Sequence, residues 1–405
     1  MDRLQGLIGI ALILVLIIGF SSSRKNIKWR TLIVGLVLQI VFALLIIGWK
    51  PGFAALKWFS HQMEKLIDFT SEGTSFVFGP LFGEDVGFIF ALNVLPVIIF
   101  LGALISAAYY LRILQWFVEI VGTALGKLLG TSKVESVWAS TVIFLGQSEA
   151  PLVIRPWLSK LTRSELYACM TGGFASVAGS TLIGYSLLGA PLEYLLAASV
   201  MNAPGSLLIA KTLIPETEVS TASANVRNIR DEENRNLIDA LGSGALAGGR
   251  IAVTVACLLI AFVALIAMLS AMVGGIGHLF GHDNWSLEGL FGLIFAPLAW
   301  AIGVPWNEAG LVGNFIGQKT IINEFVGYTS FSEHVAQMSD KAIMISTFAL
   351  AGFANLSSIA IQIGAFGALA PERRSDVAQL GMRALAAGFL TNMLNAAIVG
   401  VVAFS

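Results

Sequence analysis

Long apolar segments dominate this chain of 405 residues and restrict the folds that it can adopt. About 20 apolar residues are needed to cross the hydrocarbon core of a bilayer as a helix. Eight segments meet this length, at 4–23, 31–49, 88–111, 165–188, 190–210, 249–274, 340–368 and 378–404. The sequence therefore predicts an all-α membrane protein with about eight transmembrane helices.

The charged residues are few and nearly balanced, at 12% of the chain with a net charge of -1. This composition excludes a soluble globular enzyme and a disordered protein. It also supplies no positive field for nucleic acid, so no nucleic-acid partner is expected. Cys169 and Cys257 show no disulfide or metal spacing, and we predict that both are small apolar residues.

The basic residues indicate the orientation of the spans. Four of them, within 24–30, follow the first span and place that loop in the cytoplasm. Alternation from there puts most other Lys and Arg residues inside and both chain ends outside. Residues 212–248 carry three Arg and six acidic residues and are predicted to form a cytoplasmic linker. The amphipathic segments 51–75 and 114–130 are predicted to be interfacial helices on the outer and inner surfaces.

Two further apolar stretches, 134–157 and 286–326, are interrupted by polar residues. The first has Gly146–Pro151 at its centre, with Glu149 where a charge costs about 2.5–3.5 kcal/mol on insertion scales. The second has Gly303–Ala309, with Glu308 aligned on Glu149. Gly and Pro beside buried polar groups are typical of re-entrant hairpins, whose freed backbone groups line a cavity.

A helix with a polar, glycine-rich middle follows each interrupted stretch. Gly172–Thr181 and Gly352–Ser358 share Gly-Phe-Ala followed by Ser or Asn. By the span order, the first hairpin enters from inside and the second from outside. Two re-entrant hairpins in an inverted repeat with broken helices predict a secondary transporter with its site at the repeat interface.

The polar groups expected at mid-membrane are amides, hydroxyls and carboxylates. They suit a neutral solute with many hydroxyl or ring-nitrogen groups, such as a nucleoside or a sugar. A phosphate or dicarboxylate site would need cationic partners, and an organic cation would need an aromatic cage. The nearest cation, Lys319, is expected to extend its ammonium group to the interface.

On these motifs the sequence resembles the bacterial branch of the concentrative nucleoside transporter family, over essentially the whole chain. The segments that carry the resemblance are Gly73–Gly79, Gly87–Phe90, Gly146–Pro151, Gly303–Ala309, Asn323–Val326 and Gly352–Ser358. The resemblance implies a homotrimer in the bacterial cytoplasmic (inner) membrane. It also implies a scaffold and a transport part that moves across the membrane as an elevator.

The resemblance also implies a substrate site made of a base half and a ribose half. Gln147, Ser148, Glu149 and Thr181 would face the base. Glu324, Asn355 and Ser358 would bind the ribose, with Phe353 packed beside it. The carboxylates suit ribose hydroxyls because a charged acceptor strengthens each hydrogen bond.

The coupling ion is left open between H+ and Na+, and no other cofactor is expected. The family's sodium site would use the Leu145 and Val177 carbonyls and the Ser176 side chain. Val142 stands where sodium-coupled members carry Asn, and it supplies no oxygen. This departure favours protons, carried by Glu149, because desolvation favours the neutral form of a buried carboxyl.

The sequence divides into five parts. Residues 1–130 are predicted to be mainly scaffold, with the first three membrane helices and the interfacial helices. Residues 131–211 and 285–405 are predicted to carry the hairpins, the broken helices and the last helix of the transport part. The linker 212–248 and a scaffold helix at 249–284 lie between them.

Two other functions are compatible with intramembrane carboxylates. A membrane-embedded enzyme would use Glu149 and Glu308 as an acid–base pair, but the sequence has neither a metalloprotease motif nor an intramembrane His. A channel would need a continuous polar lining, whereas the polarity here clusters at two tips and two breaks.

Overall fold

The computed structural model describes residues 2–82, 89–220, 222, 234–281 and 285–402. Within these ranges the chain forms helices joined by turns, without strands, as predicted. The α-helices are α1 Asp2–Gly19, α2 Trp29–Ala43, α3 Lys50–Phe78, α4 Phe90–Asn93, α5 Leu95–Tyr110, α6 Ile113–Leu129, α7 Lys133–Thr141, α8 Ala150–Ile154, α9 Arg163–Ala175, α10 Gly179–Leu187, α11 Leu192–Leu213, α12 Leu237–Leu279, α13 Leu287–Ala301, α14 Trp306–Ile321, α15 Glu324–His334, α16 Asp340–Leu350, α17 Leu356–Leu369 and α18 Arg374–Val402.

The eight predicted spans correspond in position to α1, α2, α4–α5, α9–α10, α11, α12, α16–α17 and α18. Among the described residues, six of these, α2 with the turn that follows it, α4–α5, α9–α10, α11, α12 and α18, are long and apolar enough to cross a membrane, whereas α1 and α17 are shorter apolar helices. A π-helical turn at Leu44–Gly48 extends α2. The predicted breaks are present, between α9 and α10 and between α16 and α17. Parts of four predictions lie outside the described residues: motif residues 87–88, linker residues 221 and 223–233, and residues 282–284 and 403–405 at the ends of two predicted helices.

The helix α12 begins at Leu237, earlier than the predicted span at 249, and occupies the second half of the predicted linker. Its glycines explain the difference, because they are contact points with α5 rather than marks of a loop. An added Cβ at Gly248 would lie 2.7 Å from the Ile98 carbonyl oxygen, and one at Gly244 would collide with Gly102. Small residues in this stretch therefore allow close helix packing.

The second hairpin lies later in the chain than predicted. Each repeat runs from an antiparallel helix pair (α7–α8, then α14–α15) through a 3₁₀ turn into a broken helix and a long helix. Glu149 and Glu324 are 175 positions apart, and so are Ala175 and Leu350, which end α9 and α16. Glu324, and not Glu308, is therefore the counterpart of Glu149.

The predicted tip at Gly303–Ala309 is instead the turn between α13 and α14, whose axes bend by 116°. Trp306 is 65% exposed there. Glu308 accepts hydrogen bonds from the backbone N–H and the hydroxyl of Ser339, at 2.7 and 2.6 Å, at the start of α16. The short match between Asn307-Glu308-Ala309 and Ser148-Glu149-Ala150 was thus a misleading guide to the repeat.

The helices pack in two groups. The helix α5 packs along α12, whereas α1 packs on α18 and α13, and α2 packs on α11. The long helices α11 and α18 also contact α9 and α16, the first halves of the two broken helices. The first two membrane helices thus lie against the repeats and not against the α5–α12 pair.

Candidate functional site

The two hairpin tips and the two helix breaks meet in the interior of the protein. The backbone N–H of Phe353 donates to the Ser176 carbonyl at 3.1 Å, which joins one break to the other. Gln147, at the first tip, donates to the Ser358 hydroxyl at 2.8 Å, at the start of α17. These contacts bring residues of both repeats together, as an inverted-repeat transporter site requires.

Glu324 is buried at the second tip, between two helix starts. The Tyr185 hydroxyl donates to its Oε1 at 3.0 Å, and Asn355 Nδ2 donates to its Oε2 at 2.8 Å. Asn323 caps α15 by accepting from the Val326 N–H at 3.0 Å. Since helix N-termini carry positive partial charge, an acidic side chain at this position complements the dipoles of α15 and α17.

Asn355 has two roles at once. Its Oδ1 accepts from the Ser358 N–H at 2.9 Å and from the Ser357 hydroxyl at 2.7 Å, which caps the N-terminus of α17. Its Nδ2 holds Glu324. A capping role and a site role are therefore combined in one side chain, because the amide carries both donors and an acceptor.

Gln147 is held by a residue that the sequence did not single out. Gln362 Nε2, one turn beyond Ser358 on α17, donates to Gln147 Oε1 at 3.2 Å and to the Met170 carbonyl at 3.0 Å. Gln362 is fully buried. Its spacing of four residues from Ser358 was the available signal, since such residues share a helix face.

The remaining residues of the predicted base half are less constrained. Ser148 is exposed and donates to Glu149 Oε1 at 3.0 Å; in the described part of the chain it is the only side-chain donor to Glu149. Thr181 is buried, and its hydroxyl donates to the Ala178 carbonyl at 3.0 Å. Phe353, predicted to lie beside the ribose, is half-buried, and its own backbone N–H makes the contact between the breaks. Glu149 thus keeps acceptor capacity for a ligand or a proton.

The predicted sodium ligands lie beside the first tip and the first break. The Ser176 hydroxyl donates to the Gly173 carbonyl at 2.9 Å and keeps lone pairs. Among the described residues, no backbone N–H donates to the carbonyl of Leu145 or of Val177. Oxygen donors at a helix C-terminus fit a cation. Val142 is buried at the C-terminal end of α7 and adds no oxygen.

Two sequence predictions about charges near the site are corrected. Glu308 lies at the start of α16 and not among the site residues. Lys319, expected to reach the interface, is 0% exposed. Its ammonium group donates to the Ala349 carbonyl and to Asn392 Oδ1, both at 2.7 Å. The fold brings these two acceptors together, and they take the place of the water that would otherwise solvate the ammonium group.

Comparison with known proteins gives concordant matches along the chain. Residues 8–81 and 194–400 match the family models for the N-terminus and C-terminus of Na+ dependent nucleoside transporters, and residues 91–192 match the nucleoside recognition gate. An uncharacterized transporter of Bacillus subtilis is 50% identical, covering 99% of both chains. The nucleoside permease NupC of Helicobacter pylori is 39% identical, covering 98% of this chain and 97% of its own.

The solved structure of CNTnw in an inward-facing, substrate-bound state superposes with a TM-score of 0.94 at 44% identity. It covers 99% of each chain. The matched families and relatives are transporters and permeases, and not enzymes, so the alternative of a membrane-embedded enzyme is set aside.

Proposed function

Because the chain belongs to the Na+ dependent nucleoside transporter family, we propose that it imports nucleosides by symport with a cation, H+ or Na+. The observation that carries the proposal is the buried Glu324, held by Tyr185 of one repeat and Asn355 of the other. A carboxylate fixed at the junction of two repeats is a ready acceptor for the hydroxyl groups of a ribose.

The chemistry of the surrounding groups supports a neutral, polar substrate. In the described part of the chain, no Lys or Arg side chain donates to the polar groups of Gln147, Ser148, Glu149, Asn355 or Ser358. The amide of Gln147 offers both a donor and an acceptor to a base. The exposed Ser148 and the half-buried Glu149 next to it leave room for the base at the first tip. Thr181 would complete this half, and Ser358 the ribose half, beside the Phe353 ring.

The coupling cation would bind near the first tip. Glu149 is the proposed proton carrier, because in the described part of the chain its carboxylate has one side-chain donor, Ser148, and lies at the first tip within an apolar stretch of sequence. Sodium would instead use the Leu145 and Val177 carbonyls and the Ser176 hydroxyl. The apolar side chain of Val142 supports the proton alternative, and the family description supports sodium.

The packing supports an elevator with a changed boundary. The α5–α12 pair is proposed as the scaffold of a homotrimer, and the two repeats as the moving part. We group α1 and α2 with the moving part and not with the scaffold, because they pack on α18 and α11. The protein is proposed to lie in the bacterial inner membrane with both termini outside.

The experiment that tests this proposal is uptake of labelled uridine and adenosine into proteoliposomes. An inward sodium gradient at equal pH is compared with an inward proton gradient without sodium, with the voltage clamped in both. Accumulation against a nucleoside gradient is expected with one of the two cations. Absence of nucleoside accumulation with either gradient would contradict the proposed function.

The variant Glu149→Gln tests the role of the first tip. It removes the charge and the titrating proton while it keeps the shape of the side chain, so accumulation should fall to the level set by equilibration. Glu308→Gln is the matched control, because the same change is made at the far end of the repeat, at Ser339. Accumulation by Glu308→Gln should remain, and undiminished accumulation by Glu149→Gln would show that the site is wrongly assigned.

A further inference from the structure

A buried lysine lies behind the proposed substrate site, on the helix that leads to the second tip. Lys319, on α14, is fully buried. In the described part of the chain, no Asp or Glu oxygen lies within ion-pair distance of its ammonium group; its acceptors are the Ala349 carbonyl and Asn392 Oδ1, each at 2.7 Å. A buried charge is costly unless hydrogen bonds compensate it. The structure therefore provides a specific environment for this cation.

That environment is the meeting point of two helix C-termini. Ala349 lies in the last turn of α16, and Ala175 is the last residue of α9. The amide Nδ2 of Asn392 donates to the Ala175 carbonyl at 3.0 Å and to the Ala351 carbonyl at 2.9 Å. Because helix C-termini carry negative partial charge, the ammonium group compensates the dipole of α16 directly, and Asn392 connects it to the end of α9.

Further amides fasten the same point to neighbouring helices. Asn202 of α11 donates to the Ala351 carbonyl at 3.1 Å and accepts from Asn392 and Asn395 of α18 at 3.1 and 2.7 Å. Gln39 of α2 donates to Asn395 Oδ1 at 2.5 Å. We call Lys319, Asn392, Asn202, Asn395 and Gln39 the internal polar cluster. It connects hairpin, breaks and long helices in one network.

We propose that Lys319 is a positioning residue for the substrate site, which acts through Asn392 on the two helix breaks. This inference rests on the proposed function. The ammonium group holds Asn392 Oδ1 and so turns Nδ2 toward the ends of α9 and α16. The carbonyl groups of Ala175 and Ala351, at the beginning of the two breaks, are thereby held in position. Phe353 and Asn355, two and four residues after Ala351, are then oriented to contact the ligand.

The tight packing at the breaks transmits this placement. An added Cβ at Gly352 would overlap Asn392 Oδ1 and lie 2.7 Å from the Ala175 carbonyl oxygen. The next residue, Phe353, donates its N–H to the Ser176 carbonyl at 3.1 Å. A movement of Asn392 therefore displaces the segment that carries Phe353 and Asn355, since close-packed interiors have no free space to absorb it.

The test compares two buried lysines in full-length protein. Lys319→Met removes the ammonium group at nearly constant length. Lys211→Met is the matched control, since Lys211 is also buried but pairs with Glu135 and Glu216 at 3.0 and 3.1 Å at the other end of α11. The dissociation constants of uridine and adenosine and the melting temperature are measured for both, together with the wild type.

The dissociation constant for the bound nucleoside should rise about 10-fold or more in Lys319→Met, as expected when a site loses about 1.4 kcal/mol of binding. It should stay within about twofold of wild type in Lys211→Met, although that variant also loses stability. Equal affinity of Lys319→Met and wild type would overturn the inference. Equal losses in the two lysine variants would also overturn it, because they would indicate general destabilisation.

Asn392→Asp serves if Lys319→Met does not fold. It keeps an acceptor for Lys319 and pairs its charge, but it lacks the Nδ2 donor to Ala175 and Ala351. Weaker nucleoside binding by this folded variant supports the inference, and unchanged binding contradicts it. If the wild-type protein bound neither nucleoside, the proposed function itself would be refuted. If the wild type and the variants all bound nucleoside with equal affinity, only the role of Lys319 would be refuted.

Discussion

The two hairpin tips carry equivalent carboxylates in different states. Glu324 at the second tip is buried and bonded to Tyr185 and Asn355. Glu149 at the first tip is half-buried, and in the described part of the chain Ser148 is its only side-chain donor. One repeat therefore holds its carboxylate in place before any ligand arrives, and the other leaves it available.

This difference suggests a division of work between the repeats. A preorganised acceptor loses little entropy on binding and suits the part of the substrate that is always the same. A loosely held carboxylate suits a variable base or a proton that must arrive and leave. The breaks differ in a similar way. At the end of α16 the cation is Lys319, a tethered cation because it is part of the chain. The end of α9 faces the proposed site of the coupling ion, a mobile cation that binds and leaves.

The largest effect is expected from Glu324→Gln. The variant removes the charged acceptor for the ribose, and each hydrogen bond to a charged group is worth about 1.5–3 kcal/mol. The ratio of maximal uptake rate to KM for uridine should fall by about 100-fold or more. Initial uptake rates in proteoliposomes over a range of uridine concentrations measure this ratio.

Glu333→Gln is the matched control, because Glu333 lies on the same helix, α15, but is exposed. Its uptake should equal that of the wild type. If Glu324→Gln retained uptake within a few-fold of wild type, the second tip would not be the preorganised half of the site.

The sequence was a good guide to the position of the first hairpin tip and a poor one to that of the second. The tip residues Gln147, Ser148 and Glu149 were found because polar residues between Gly and Pro contrast strongly with an apolar background. The hairpin position was missed because a turn before α14 imitates the same short pattern. The stretch 286–326 has the apolar content of a helical hairpin, but it consists of α13 followed by α14, which is the first helix of the second hairpin.

The internal polar cluster could not be predicted in this way. Asn202 and Asn392 lie in different helices, 190 positions apart, and Lys319 belongs to neither tip. Their relation depends on the angle at which α11, α14 and α18 cross. Local pattern carries no information on such contacts, whereas Gln362 was accessible through its four-residue spacing from Ser358.

A smaller effect, on ion preference, is expected from Val142→Asn. The substitution adds an amide oxygen beside the Leu145 and Val177 carbonyls and so completes the oxygen set at the first tip. The sodium concentration for half-maximal uridine uptake should fall about 10-fold, which corresponds to about 1.4 kcal/mol from the added ligand. It is measured by sodium titration of initial rates at fixed pH.

Val142→Leu controls for side-chain shape, because Leu branches at Cγ as Asn does but has no oxygen. Its sodium dependence should match that of wild type or be weaker. An equal gain in both variants, or in neither, would place the cation elsewhere and would remove the proposed contrast between a mobile cation in one repeat and a tethered cation in the other.

The smallest effect concerns the end of the first repeat where Lys211 and Glu216 lie. Glu216 accepts from the Thr162 hydroxyl at 2.8 Å, at the start of α9, and pairs with Lys211 at 3.1 Å. Partial burial alone would raise the pKa of Glu216, but the Lys211 charge and the hydrogen bonds lower it below the ordinary value of 4.5. A carboxyl whose pKa is lower in the folded state stabilises the fold above that ordinary value, and this contribution is lost as the pH falls through the lowered pKa.

Glu216→Gln should therefore lower the melting temperature at pH 7 by about 1–2 °C, a small shift for a domain of this size. The difference from wild type should shrink as the pH falls below 4.5, because wild-type Glu216 then becomes neutral as well. Glu218→Gln, an exposed change two residues away, should leave the melting temperature unchanged. A difference that persisted undiminished at low pH would mean that Glu216 acts through its shape at Thr162 and not through its charge opposite Lys211. The ion pair of Glu216 with Lys211 would then not be what separates this end of the first repeat from the corresponding end of the second, where Glu308 bonds Ser339.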